Sequence, residues 1–398
     1  MKTKLFTITL FLLTATTVIA YPLVKSNTSS PTSPPIAIIP YNDQPKIEVV
    51  FVLDTTGSMG ALIEAAKEKI WSIASTMASA QTAPEIKMGL VAYRDRGDDY
   101  VTKVIDLSSD LDSIYATLMD FKANGGGDGP ESVNQALDEA VNKVSWSQDQ
   151  DTYKVVFMVG DAPPHMDYQD DVKYPVTAKI AKQKGILINT IQCGTDNNTK
   201  HQWLQIAQLG GGDYFQVEQT GSAVAVATPY DKKLAELSKQ IEETKLYFGN
   251  KAEKAEQRIK TAAKNKLHAM SSAPALARRA EFNASASGKE NMYGRNELIE
   301  SIESGEVDLV ALEKEELPVA MQSMTVEEQT QLLENKAQKR KQLEAEIALA
   351  SRDRKDFLKK KAKEDGGYKD SLDDKIYSAV RKQAADKGLV YEADAPAY

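Results

Sequence analysis

The sequence predicts an α/β fold: a doubly wound, mostly parallel six-stranded sheet followed by an all-α C-terminal region. Three observations carry this expectation. The run Val49-Val50-Phe51-Val52-Leu53 is apolar at every position, the pattern of a strand buried on both faces inside a parallel sheet. A second such run, Val155-Val156-Phe157-Met158-Val159, follows further along the chain, and each run is closed by an aspartate, Asp54 and Asp161. Beyond about residue 228 such runs stop and helix-forming stretches take over.

Taken in order, residues 47–53 are expected to form the first strand. Residues 61–80 follow as a helix, with Ile63, Ala66, Ile70, Ile73 and Met77 on one face. Strands are expected at 86–93 and 101–107, the latter at the sheet edge. Residues 132–144 read as a helix with the stripe Val133, Leu137, Ala140 and Val144, and strands follow at 155–159, 186–191 and 214–217. The alternation implies right-handed crossovers and a doubly wound sheet; if its strand order is 3-2-1-4-5-6, strands one and four are neighbours where the winding reverses. Ligands of open sheets bind outside the carboxyl ends of the strands at that point, which is where Asp54 and Asp161 stand.

A chain of 398 residues exceeds one average domain. The expected division is a signal peptide at 1–20, a Pro/Ser/Thr-rich linker at 21–46, the α/β domain at 47–228, a helical extension at 229–270, a flexible joint at 271–290 and a helical region at 291–398. Lys2 and Lys4 followed by an apolar core over 5–19 read as a secretory signal, with Val18-Ile19-Ala20 as the cleavage site and an uncleaved anchor as the competing reading. The joint is assigned on its small, polar residues, and Thr325-Val326-Glu327-Glu328 is a capping box opening a helical stretch to about residue 364. That stretch, with the stripe Leu333, Ala337, Leu343, Ile347 and Ala350, suits a hairpin or small bundle better than a coiled coil. A net charge of −8 and a pI near 5.3 argue against nucleic acid as a partner, because phosphate binding needs a basic face. The only cysteine, Cys193, has no intramolecular partner and reads as a small buried residue.

The turn Asp54-Thr55-Thr56-Gly57-Ser58 places one carboxylate and two hydroxyls, those of Asp54, Thr56 and Ser58, between a strand and a helix, an oxygen set suited to a hard divalent cation. With Gly125-Gly126-Gly127-Asp128-Gly129-Pro130-Glu131 and Gly160-Asp161 downstream, the chain resembles von Willebrand factor A (vWA) domains of an exported bacterial type, and the turn resembles their metal-ion-dependent adhesion site. The resemblance implies a metal held by Asp54, Thr56, Ser58, a residue of the glycine loop and Asp161. Asp128 stands about where the family more often has threonine. It also implies Mg2+, with Mn2+ or Ca2+ as substitutes, and a protein partner that offers a carboxylate to the metal. On this reading the protein is not an enzyme but an exported, periplasmic or secreted binding module, with no nucleic-acid partner and no membrane span after signal cleavage.

Glu131 reads as an acid favoured by the dipole at a helix start, and His165 as a loop residue, since hard cations prefer oxygen. The acidic cluster 167–171 is expected as a solvated loop on the same rim. Arg96-Gly97-Asp98 spells a cell-adhesion tripeptide that arises easily within a charged loop. Two other functions are weighed. Asp54-Thr55-Thr56 and Gly160-Asp161 loosely resemble Mg2+-dependent haloacid dehalogenase-type phosphohydrolases, although Thr56 stands where that class carries a second acid. A structural envelope scaffold built by the helical tail is the other.

Overall fold

The computed structural model describes residues 44–127, 129–219, 226–364 and 372–391. The expected signal and nearly all of the expected linker lie outside the described residues. Among the described residues no helix is long and apolar enough to cross a membrane.

Six strands form one sheet in the order β3-β2-β1-β4-β5-β6, the order under which β1 and β4 are neighbours. They are β1 (Lys46–Asp54), β2 (Glu85–Tyr93), β3 (Thr102–Ser108), β4 (Tyr153–Gly160), β5 (Ile186–Cys193) and β6 (Gly211–Val217). Edge strand β3 runs antiparallel to β2, and every other pairing is parallel. Because side chains alternate across a strand, the unbroken apolar run of β1 feeds two cores at once. Val49, Phe51 and Leu53 join the core under α1 (Gly60–Ala78) and α2 (Leu111–Leu118). Val50 and Val52 join the opposite core, under α3 (Val133–Asn142), α4 (Tyr174–Gln183) and α5 (Asn197–Leu209).

Helical periodicity picks out α1 and α3 but not α2, α4 or α5. The buried face of α4 is Tyr174, Thr177, Ala178 and Ala181, and that of α5 includes Thr199 and Ala207 beside Trp203 and Ile206. Small and hydroxyl-bearing residues pack against a sheet without registering as an apolar stripe. Two N-caps were the readable signals: Asp110 accepts from the Ser113 amide at 3.1 Å, and Asp196 from the Thr199 amide at 2.7 Å.

The helical region does not stand apart from this sheet. Its helices are α6 (Asp231–Glu242), α7 (Lys251–Met270), α8 (Ala273–Asn283), α9 (Lys289–Tyr293), α10 (Leu298–Glu303), α11 (Val326–Glu364) and α12 (Leu372–Gln383). The flexible joint expected over 271–290 is corrected by α8: Ser272 caps it, accepting from the Ala275 amide, and Phe282 packs on Trp71 of α1 with ring centroids 5.8 Å apart. The alanines that suggested a flexible joint instead let two helices approach closely. Accordingly Gln44–Tyr398 is one compact unit. Within α7 Ile259 is 71% exposed while Lys264 and Leu267 are buried. The Thr325–Glu328 capping box is present, and α11 is a single helix of 39 residues bundled with α6 and α8.

One turn beyond Lys264 on α7, His268 Nε2 has no partner among the described residues. Burial pushes its pKa from 6.5 to about 4, and the nearby Arg279 charge adds to the shift. The folded state thus disfavours the imidazolium, so stability present above pH 6.5 is lost as the pH falls toward 4. Comparing melting temperature against pH for the wild type and His268→Gln checks this: the variant's curve is expected to be flatter across that window.

Candidate metal centre

Asp54 closes β1 and Asp161 directly follows β4, adjacent parallel strands, so the two carboxylates meet at the sheet's switch point. Residue 160 must be glycine for them to do so. A Cβ there would stand 3.0 Å from the Asp54 Cβ and 2.5 Å from the Tyr93 hydroxyl. Asp54 is fully buried, and its Oδ1 accepts from the Thr56 amide at 2.9 Å and the Thr56 hydroxyl at 2.6 Å. Thr56 Oγ1 lies 3.4 Å from the exposed Ser58 Oγ. Among the described residues Asp54 Oδ2 has no partner, nor has the buried Tyr93 hydroxyl.

The glycine loop is laced to this turn. The Gly57 amide donates to Gly125 O at 3.1 Å and the Asn124 amide to Thr55 O at 3.1 Å. Arg94 Nε donates to Thr55 O and its Nη2 to Lys122 O, clamping both segments. Asp128 lies outside the described residues, so the structure places four of the five expected ligands. Glu131, expected as a helix-start acid, is instead turned inward. Glu131 is 4% exposed, its backbone bridges to Pro164, and its Oε2 has no partner among the described residues. Gln219, after β6, was also missed: its Nε2 donates to Asp161 Oδ2 at 2.6 Å. No spacing rule links residue 219 to the motif, because the link is made by β6 running parallel beside β5.

Electrostatically the centre is short of positive charge. Burial pushes the Asp54 carboxyl up to about 7 against the hydrogen bonds from Thr56, and the Asp161 charge adds to the rise. Burial also pushes Glu131 up to about 9, with Asp54, Asp95 and Asp161 adding to it. Buried carboxylates that repel one another, with hydroxyls alongside and an orphaned oxygen on Asp54, fit a hard divalent cation held by Asp54, Thr56, Ser58 and Asp161.

The surrounding rim is tied rather than loose. His165 stacks on Tyr168 with centroids 3.9 Å apart, and its Nδ1 lies 2.8 Å from Asp167. Arg96 lies over the Tyr168 ring and pairs with Asp170 at 2.9 Å and Asp171 at 2.6 Å. The acidic loop expected to be solvated is therefore partly neutralised by Arg96. The same contacts withdraw the Arg96-Gly97-Asp98 tripeptide from presentation, for Asp98 turns inward to accept the Gly126 and Asp95 amides. Cys193 is buried at the end of β5, as expected.

The fold and this centre define an α/β protein with carboxylates and hydroxyls gathered at the strand ends. Residues 48–228 match the model of the von Willebrand factor A domain family, and the chain carries a vWA domain over that span. The alpha-protein kinase vwkA of Dictyostelium discoideum is 26% identical over 122 residues, 30% of this chain and 19% of that protein. The von Willebrand factor A domain-containing protein 7 of Rattus norvegicus is 38% identical over 97 residues, 24% of this chain and 10% of that protein. This chain thus spans only about a tenth to a fifth of the length of the curated relatives it matches. Among solved structures, proximal thread matrix protein 1 of the mussel byssus aligns at TM-score 0.35 with 17% identity, over 44% of this chain and 43% of that one. The SpRpn10 VWA domain aligns at TM-score 0.34 with 14% identity, over 44% of this chain and 88% of that one.

Proposed function

We propose that the vWA domain is a divalent-cation-dependent binding module, rather than an enzyme, for a protein partner that reaches the metal centre with a carboxylate. The observation that supports this most directly is the fully buried Asp54 carboxylate oxygen beside Asp161 at the strand ends, which has no partner among the described residues. A bound Mg2+ or Mn2+ would attract a partner's oxygen there. The chain's own residues hold and orient: Thr56 fixes the Asp54 carboxylate, Gln219 fixes that of Asp161, and the glycine loop is bonded to the first turn. Export through the 1–20 segment belongs to the same reading, and the helical region would then carry the module as one rigid body.

A cation that binds only the folded state stabilises it by mass action, by about 2.7 kcal/mol at a concentration a hundredfold above Kd. Saturating Mg2+ or Mn2+ is expected to raise the wild-type melting temperature and leave Asp54→Ala unchanged. Capture of partners from an envelope extract is expected with Mg2+ and lost with EDTA. Identical melting of the two proteins across the titration would remove the metal centre from the account.

A further inference from the structure

We propose that the solvent face of α11 is a docking surface for an anionic lipid bilayer, which Arg352, Lys355, Lys359 and Lys363 meet as one row of cations. The surface is separate from the metal centre and shares no residue with it.

At 3.6 residues per turn these four positions fall on one face of the helix and span about 16 Å of its length. All four are exposed, and Lys360 is exposed beside them. The opposite face is buried through Ile347, Ala350, Arg354 and Leu358. Arg354 is engaged inside the fold, where it pairs with Asp231 at 2.7 Å and Glu281 at 3.0 Å, so the row takes no part in that packing. The acids on this stretch are Asp353, 4.0 Å from Arg352, and the exposed Asp356 and Glu364, and the exposed cations outnumber them.

Helix stability does not account for the row. Lys355, Lys359 and Lys363 follow one another at i,i+4 spacing, where like charges destabilise a helix. The helix dipole favours cations in the last turn, which holds Lys361 and Lys363, whereas Arg352 and Lys355 stand about three and two turns upstream. A self-repelling row is relieved when an anionic surface covers it. The net charge of −8 opposes a nucleic acid long enough to run past the helix, but a membrane touches only the outermost face. At physiological salt, exposed charges more than about 8 Å from that contact are largely screened, so the local row outweighs the acidity of the chain as a whole. Leu349, 48% exposed one turn before Arg352, adds an apolar side chain next to the row.

Full chains are sedimented with vesicles of phosphatidylcholine alone and of equal parts phosphatidylcholine and phosphatidylglycerol, at low and high salt. Attachment through the apolar residues 5–19 is common to both vesicle types, so the difference between them reads the charged surface. Wild type is expected to prefer the phosphatidylglycerol vesicles and to lose that preference as salt rises. A lysine or arginine near such a surface changes binding by about fivefold, so Lys359→Gln is expected to bind about fivefold more weakly. Substituting Gln at Arg352, Lys355, Lys359 and Lys363 together is expected to weaken binding on the order of a hundredfold or more. A control that removes four exposed lysines elsewhere, by Lys179→Gln, Lys182→Gln, Lys200→Gln and Lys251→Gln, is expected to bind like wild type. The row variant should melt at or above the wild-type temperature, because the i,i+4 repulsion is gone, and this separates loss of binding from loss of fold. Equal binding by wild type and the row variant, an equal loss in the control, or no wild-type preference for phosphatidylglycerol overturns the proposal. Wild type that ignores both vesicles but binds duplex DNA through the row overturns it too, and gives the row to nucleic acid.

Discussion

A chain ending at Glu364 is expected to lose its cooperative thermal transition, although the cut lies far from the sheet in sequence. Helix α12 and the turn after it place Ile376, Tyr377, Val380, Leu389 and Tyr391 in the same core as Phe51, Leu53 and Trp71. The segment is also bonded to the domain: the Gln81 amide donates to Val390 O at 2.9 Å, Tyr391 to Met77 O at 3.1 Å, and Tyr153 to Gln383 at 2.9 Å. Burying a large apolar side chain is worth about 1.5–3 kcal/mol, so five of them contribute on the order of 10 kcal/mol. That is comparable with the whole stability of an ordinary domain, about 5–15 kcal/mol. Circular-dichroism melts and size-exclusion profiles of the full and shortened chains check the expectation. Melting of the shortened chain within a few degrees of the full one would show that α12 only decorates a core complete without it. On the same grounds a fragment covering 46–270 is expected to fail, since it lacks Phe282 as well.

Arg279→Met is expected to destabilise the protein by about 3–5 kcal/mol, the cost of breaking a buried ion pair from one side. Arg279 is fully buried and grips Asp112 of α2 with two hydrogen bonds, Nε at 2.5 Å and Nη2 at 2.6 Å, while Nη2 also reaches Glu242 at 2.9 Å. Burial alone would push the Asp112 carboxyl up, but the guanidinium holds it below the ordinary carboxylate range. Without Arg279 that carboxylate is left in the interior, with Lys264 no nearer than 3.9 Å. Adding Asp112→Leu to Arg279→Met should recover part of the loss, because it removes the stranded charge. Urea midpoints of the two single variants and the double variant measure this. Additive losses would mean that the two residues act independently and that the network does not join α2 to the helical region.

The three motif segments were legible because local chemistry dictates them. An unbroken apolar run suits only a strand covered on both faces, and Asp, Thr and Ser at alternate positions of a turn converge by backbone geometry alone. Parallel strands with helical crossovers then admit few topologies, so the order of the sheet and the meeting of Asp54 with Asp161 followed from the sequence. Residues 273–283 were read as a joint because alanine and serine carry little hydrophobic signal. Their helix is selected by Trp71 and Asp112 across the interface, partners distant in sequence.

The sequence by itself determined the vWA sheet, its strand order and the carboxylate–hydroxyl turn, because each depends on neighbours a few residues away or on a chirality rule that every chain obeys. The tertiary structure alone decided that Glu131 turns inward, that Gln219 bonds Asp161, and that α8 and α12 complete the core. Each of these depends on burial created by segments far apart in sequence, and a buried acid and a solvent-facing one are the same residue until the fold says which side of the helix is wet.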